Sequence, residues 1–122
     1  IDQGGDAVGC FLGILIELTA LSAVCPELAT NQEMAELDSH ITSLSDFYAD
    51  NLVPARSRDQ MLALIRSGIS QKEQQFRTVA SSTCQSVEQF RMLVSGMLSE
   101  QFSDSLDASL ARPRLPVVNP CL

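Results

Sequence analysis

The stretch Thr30–Asn51, TNQEMAELDSHITSLSDFYADN, decides the fold. Met34, Leu37, Ile41, Leu44 and Tyr48 recur at alternating intervals of three and four, the seam of an amphipathic helix. Ahead of the seam, Thr30 and Glu33 spell a T-x-x-E capping box. The hydroxyl is placed to accept from the Glu33 amide, and the carboxylate to accept from the Thr30 amide. Asn51 and Pro54 close the segment. An amphipathic helix draws most of its stability from packing its apolar face, so the rest of the chain must supply partners.

Upstream, residues 7–25 read AVGCFLGILIELTALSAVC. Asp6 is a fitting N-cap, and Pro26 stops the helix by disfavouring helical geometry at Cys25. Val8, Phe11, Leu12, Leu15 and Leu18 mark one face, but Ile14 and Ile16 carry apolar character around the cylinder. Such a helix is expected at the centre of a bundle, with its surplus face offering a homodimer contact. It is nearly long enough to span a bilayer, yet Glu17 sits in its middle and no Lys or Arg flanks it. No membrane span is expected.

Downstream, Ser57 and Asp59 open a third helix whose seam is Leu62, Ile65, Ile69, Phe76 and Val79, with Lys72 in one seam position. The cluster Ala80-Ser81-Ser82-Thr83 is the natural break. A fourth helix then carries Val87, Phe90, Val94, Met97, Leu98 and Phe102. Arg112-Pro113-Arg114-Leu115-Pro116 through Pro120 must be extended, since proline blocks helical continuation. The expected fold is all-α and a single domain over 1–122. It is an antiparallel four-helix bundle with helices over about 6–25, 31–50, 57–80 and 84–104 and an extended Pro-rich tail over 105–122.

The four cysteines, Cys10, Cys25, Cys84 and Cys121, lie 15, 59 and 37 residues apart. No pair is close enough in sequence for a zinc knuckle, and an even count in a small domain suggests two disulfides in an oxidising compartment. Cys10 and Cys25 stand roughly 22 Å apart along one helix, beyond bridging range. In an up-down-up-down bundle Cys25 and Cys84 meet at one end, and Cys10 and Cys121 at the other. The expected pairings are therefore Cys25–Cys84 and Cys10–Cys121, and the expected location is periplasmic or extracellular. A chain that begins at Ile1 without a methionine fits either a processed product whose export signal is gone or a trimmed segment.

Charge narrows the function. The 122 residues carry 8 basic and 15 acidic side chains, a formal charge of −7, with no Trp, one Tyr and five Phe. Nucleic-acid binding calls for cations and stacking surfaces, so it is not expected. Residues 1–56 hold nine acids and one base, Arg56, whereas 57–122 hold six acids and seven bases. Glu33, Glu36, Asp38, Asp46 and Asp50 form the candidate interaction surface for a basic partner protein. Glu17 is a candidate buried acid, to be paired with Arg66 or Lys72 unless it lies on the one stripe facing water. His40 is the only histidine, and no G-x-S-x-G, phosphate loop or H-E-x-x-H motif is present, so no metal, cofactor or catalytic residue is assigned. The four methionines read as core filling.

Exported all-helical proteins with two disulfides include immunity proteins, periplasmic chaperones and secretion accessory factors. The leading expectation is accordingly a non-enzymatic exported protein that binds another protein. The alternative is a carrier of a small apolar ligand between helices lined by Phe11, Leu15, Phe90 and Met97, with an enzyme third.

Overall fold

The computed structural model describes residues 8–52, 54–79 and 84–111. They form five helices, α1 (Val8–Val24), α2 (Asn31–Asn51), α3 (Arg58–Thr78), α4 (Val87–Met97) and α5 (Glu100–Leu110), with a 3-10 turn, Cys84–Ser86, leading into α4. No strand occurs among the described residues.

Local chemistry sets the ends. In α1 the Cys25 amide still donates to the Leu21 carbonyl at 2.8 Å, and Pro26 stops the helix there. At the start of α2 the expected capping box is complete: the Thr30 amide donates to Glu33 Oε1 at 3.0 Å, and the Glu33 amide donates to Thr30 Oγ1 at 3.1 Å. Helix α3 begins with a second reciprocal box, between Ser57 and Gln60, which the sequence reading passed over. At the far end of α2 the Asn51 side chain donates to the Phe47 carbonyl and the Leu52 amide to the Tyr48 carbonyl.

The expected fourth helix over 84–104 is two helices. Ser99 has extended backbone, with φ −67° and ψ 150°, and its hydroxyl accepts from the Phe102 amide while donating to the Gly96 carbonyl. A serine that satisfies a new N-terminus and an old C-terminus together favours a break over continuation. Glu100 follows in the first turn of α5, where an acid is favourable. Residues 105–110, expected at the start of the tail, belong to α5. The remainder of that tail, 112–122, lies outside the described residues.

Helices α1, α2 and α3 contact one another pairwise, α4 lies against α1, and α5 against α2. Leu15, Leu18, Leu28, Leu37, Ile41, Leu44, Val94 and Leu106 are at most 2 % exposed and form one core. The seam of α2 is buried as its spacing requires, with Met34 and Tyr48 packed at its margins. Only Ile65 of the α3 seam is buried, so α3 presents most of its circumference to water. Three buried hydroxyls, on Thr19, Ser22 and Ser45, have no hydrogen-bond partner among the described residues.

Cys25 and Cys84 are joined by a disulfide with Cα atoms 5.7 Å apart, as the topology argument expects. It is the one bridge among the described residues, where two were expected. Cys121, the expected partner of Cys10, lies outside them.

Candidate functional site

The acids of α2 are the expected interaction surface, and most of them turn to their own chain. Asp46 and Asp50 face Arg58 at 3.7 and 2.8 Å, and Asp38 faces Arg66 at 3.4 Å. Residue numbers fall along α2 as they rise along α3, so the two helices run antiparallel. Glu33 accepts from Arg91 Nη1 at 2.6 Å, and the same guanidinium donates to the Leu28 carbonyl at 3.3 Å. Arg91 thereby ties α4 to the start of α2 beside the disulfide. Four of the five candidate acids thus meet arginines of their own chain, and Glu36 stays exposed with no counter-ion among the described residues. Sequence reading missed this because each arginine lies on another helix, 8 to 58 residues away.

The cap amide of Thr30, and then the Arg91 hydrogen bond, hold the Glu33 carboxyl below its ordinary value of 4.5. A depressed folded-state pKa contributes stability above the unfolded value and loses it as pH falls through the folded one. Glu33→Gln keeps an acceptor for the cap and removes the charge. It is expected to cost about 1 kcal/mol at pH 7. The gap between wild type and variant should close as pH falls below 4.5 toward the folded value, which urea titrations at stepped pH will read.

Glu17 does not take the buried position expected for it. Its side chain is 59 % exposed, with Lys72 Nζ at 3.7 Å from Oε1. It is not a buried acid. Gly13 and Glu17 occupy the one wet stripe of α1, so that helix is not surrounded as expected. Lys72, the charged residue in the α3 seam, sits there because it meets this carboxylate. Together with Cys10, Ile14 and Ile16 these residues line a groove of about 480 Å³.

Seven acids, Glu27, Glu36, Asp59, Glu88, Glu100, Asp104 and Asp107, have no ion pair among the described residues, and three of them lie on α5. Glu100, Asp104 and Asp107 are spaced to share one face of α5, and all three are exposed. Across a slot of about 240 Å³ lined by Glu36, Ser39, His40, Leu98 and Ser103, Glu36 adds a fourth carboxylate from α2. Of the slot's lining residues His40 is the aromatic one, and its ring meets Phe102 edge-on at 5.6 Å, with Phe102 meeting Phe11 edge-on at 5.3 Å. His40 Nε2 lies 3.4 Å from Ser103 Oγ. A nucleophilic serine would need a base that is itself oriented by a third group. Among the described residues nothing bonds the other ring nitrogen, so this pair lacks that orienting group. The break at Ser99 is what builds the slot, since it turns the chain so that α5 lies along α2.

Leu15 and Met97, expected to line a ligand cavity, are core residues, and Phe11 and Phe90 pack against the same core. No group of three or more His, Cys, Asp or Glu suited to a metal occurs among the described residues. No described helix is long and apolar enough to cross a membrane. Comparison with protein-family models, with curated proteins and with solved structures finds no match to this chain.

Proposed function

We propose that this chain acts without catalysis, by binding a basic partner protein in a periplasmic or extracellular setting. The observation that carries this reading is the acidic face of α5, which has no counter-ion among the described residues, with Glu36 across the slot. Glu17, Glu33, Asp38, Asp46, Asp50 and Glu73 are each set against a cation of the same chain. Glu36, Glu100, Asp104 and Asp107 are exposed with no ion pair among the described residues, as are Glu27, Asp59 and Glu88 on other elements. Such a field attracts a positively charged surface and orients its approach. The Cys25–Cys84 bridge supports a non-reducing compartment, where disulfides persist. A four-helix layout, with α4 and α5 as its broken fourth arm, and a Cys10–Cys121 bridge fastening the tail complete this reading.

The test compares wild type with the Glu36→Gln, Glu100→Gln, Asp104→Asn, Asp107→Asn variant as bait for proteins of the extracytoplasmic fraction. A protein retained by wild type alone is then purified and titrated against both. Its affinity should fall by about tenfold or more between low and physiological salt, and by a similar factor in the variant. Equal binding by both baits, or affinity indifferent to salt, would overturn the proposal.

A further inference from the structure

We propose that the groove at the start of α3 is a binding site for an aliphatic monocarboxylate. Arg56, Gln60, Ala63 and Leu64, all exposed, line a shallow open groove of about 440 Å³. None of these residues belongs to the α2/α5 slot, so the two proposals stand independently.

Arg56 carries the head-group argument. Among the described residues Arg58, Arg66, Lys72, Arg77 and Arg91 each pair with a carboxylate of this chain, and Arg56 pairs with none. An arginine presents its donors as a planar fork that a carboxylate accepts with both oxygens. Gln60 adds a held donor. Its Oε1 accepts from the Ser57 amide at 3.3 Å, which fixes the side chain and leaves its amide nitrogen free to donate.

Leu64 carries the tail argument. It is one of few large hydrophobic side chains left exposed among the described residues, at 51 %. It stands one turn beyond Gln60, about 6 Å further along α3, with Ala63 beside it. A ligand whose anionic end meets Arg56 therefore lays its next atoms on apolar surface. A cation is repelled at Arg56, an alkanol forfeits the two-oxygen contact, and acetate forfeits the contact with Leu64.

Decanoate is the probe, titrated into the full chain at pH 7 by calorimetry and by saturation-transfer NMR, with decanol, decyltrimethylammonium and acetate at matched concentration. Decanoate should saturate one site, and each comparison compound should bind at least about tenfold more weakly. Arg56→Gln and Leu64→Ser should each weaken decanoate binding by about tenfold or more. Both side chains are exposed, and circular dichroism verifies that both variants fold. Absent or non-saturating binding, equal binding of decanol, or unchanged affinity in Arg56→Gln would each refute the site.

Discussion

A Cys25→Ala, Cys84→Ala double variant melts about 10–20 °C below wild type at neutral pH, followed by far-UV circular dichroism. The bridge joins residues 59 apart in sequence, and that loop contains all of α2 and α3. Closing a loop of that length removes enough freedom from the unfolded chain to stabilise the folded one by about 4 kcal/mol in the chain-entropy treatment. Cys25 is also 2 % exposed within the core, so replacing it gives up packing. The double variant is preferred because a single replacement leaves a buried thiol free to seek another partner. A fall of less than about 3 °C would mean that the unfolded chain is already compact around this crosslink. Thiol titration and peptide mapping of native wild type should return no free sulfhydryl and a Cys25–Cys84 peptide. The same map decides Cys10–Cys121.

Leu15→Ala is the second large effect, at about 3–5 kcal/mol by urea titration. Leu15 is fully buried near the middle of α1, where that helix meets α2 and α3. Removing its branched end strands core neighbours around a void that packed helices close only in part. Glu17→Gln, two residues along the same helix, is the matched control and should change stability by less than about 0.5 kcal/mol, since an exposed pair with Lys72 is screened by water. The contrast measures which side of α1 the protein uses. A loss below about 1 kcal/mol for Leu15→Ala would remove α1 from the core. A loss above about 2 kcal/mol for Glu17→Gln would restore the buried-acid reading.

Much of the architecture was legible because it depends on local rules. The Thr30–Glu33 box, the Met34–Tyr48 seam and the stop at Pro26 act within a few residues, and all three appear as read. The Cys25–Cys84 pairing was legible for a different reason: rigid helices of known rise leave few places for a cysteine to be. The break at Ser99 was hidden because Val94, Met97, Leu98 and Phe102 keep a helical spacing straight through it. Periodicity sees the repeat and is blind to a cap inside it. The local signal was a serine three residues after Gly96 and one before Glu100. The α5 face was missed for the same reason, as Asp104 and Asp107 fell at the edge of the expected tail. Which acids stay unpaired depends on cross-helix distances, and those exist only once the helices have packed.

The ladder of Arg58 on Asp46 and Asp50, and of Arg66 on Asp38, has a mechanical consequence. Each contact is solvent-exposed and adds little to the free energy of folding. The single contact of Arg66 with Asp38 nevertheless resists sliding. Displacing α3 along α2 by one turn, about 5.4 Å, would set Arg66 opposite Met34 or Thr42, neither of which bears a charge. Ile65 is the only fully buried residue of α3, with Met61, Leu62, Ile69 and Phe76 half-buried against the core beside it. Arg66 on Asp38 behaves as the tooth of a ratchet that holds the third helix in register.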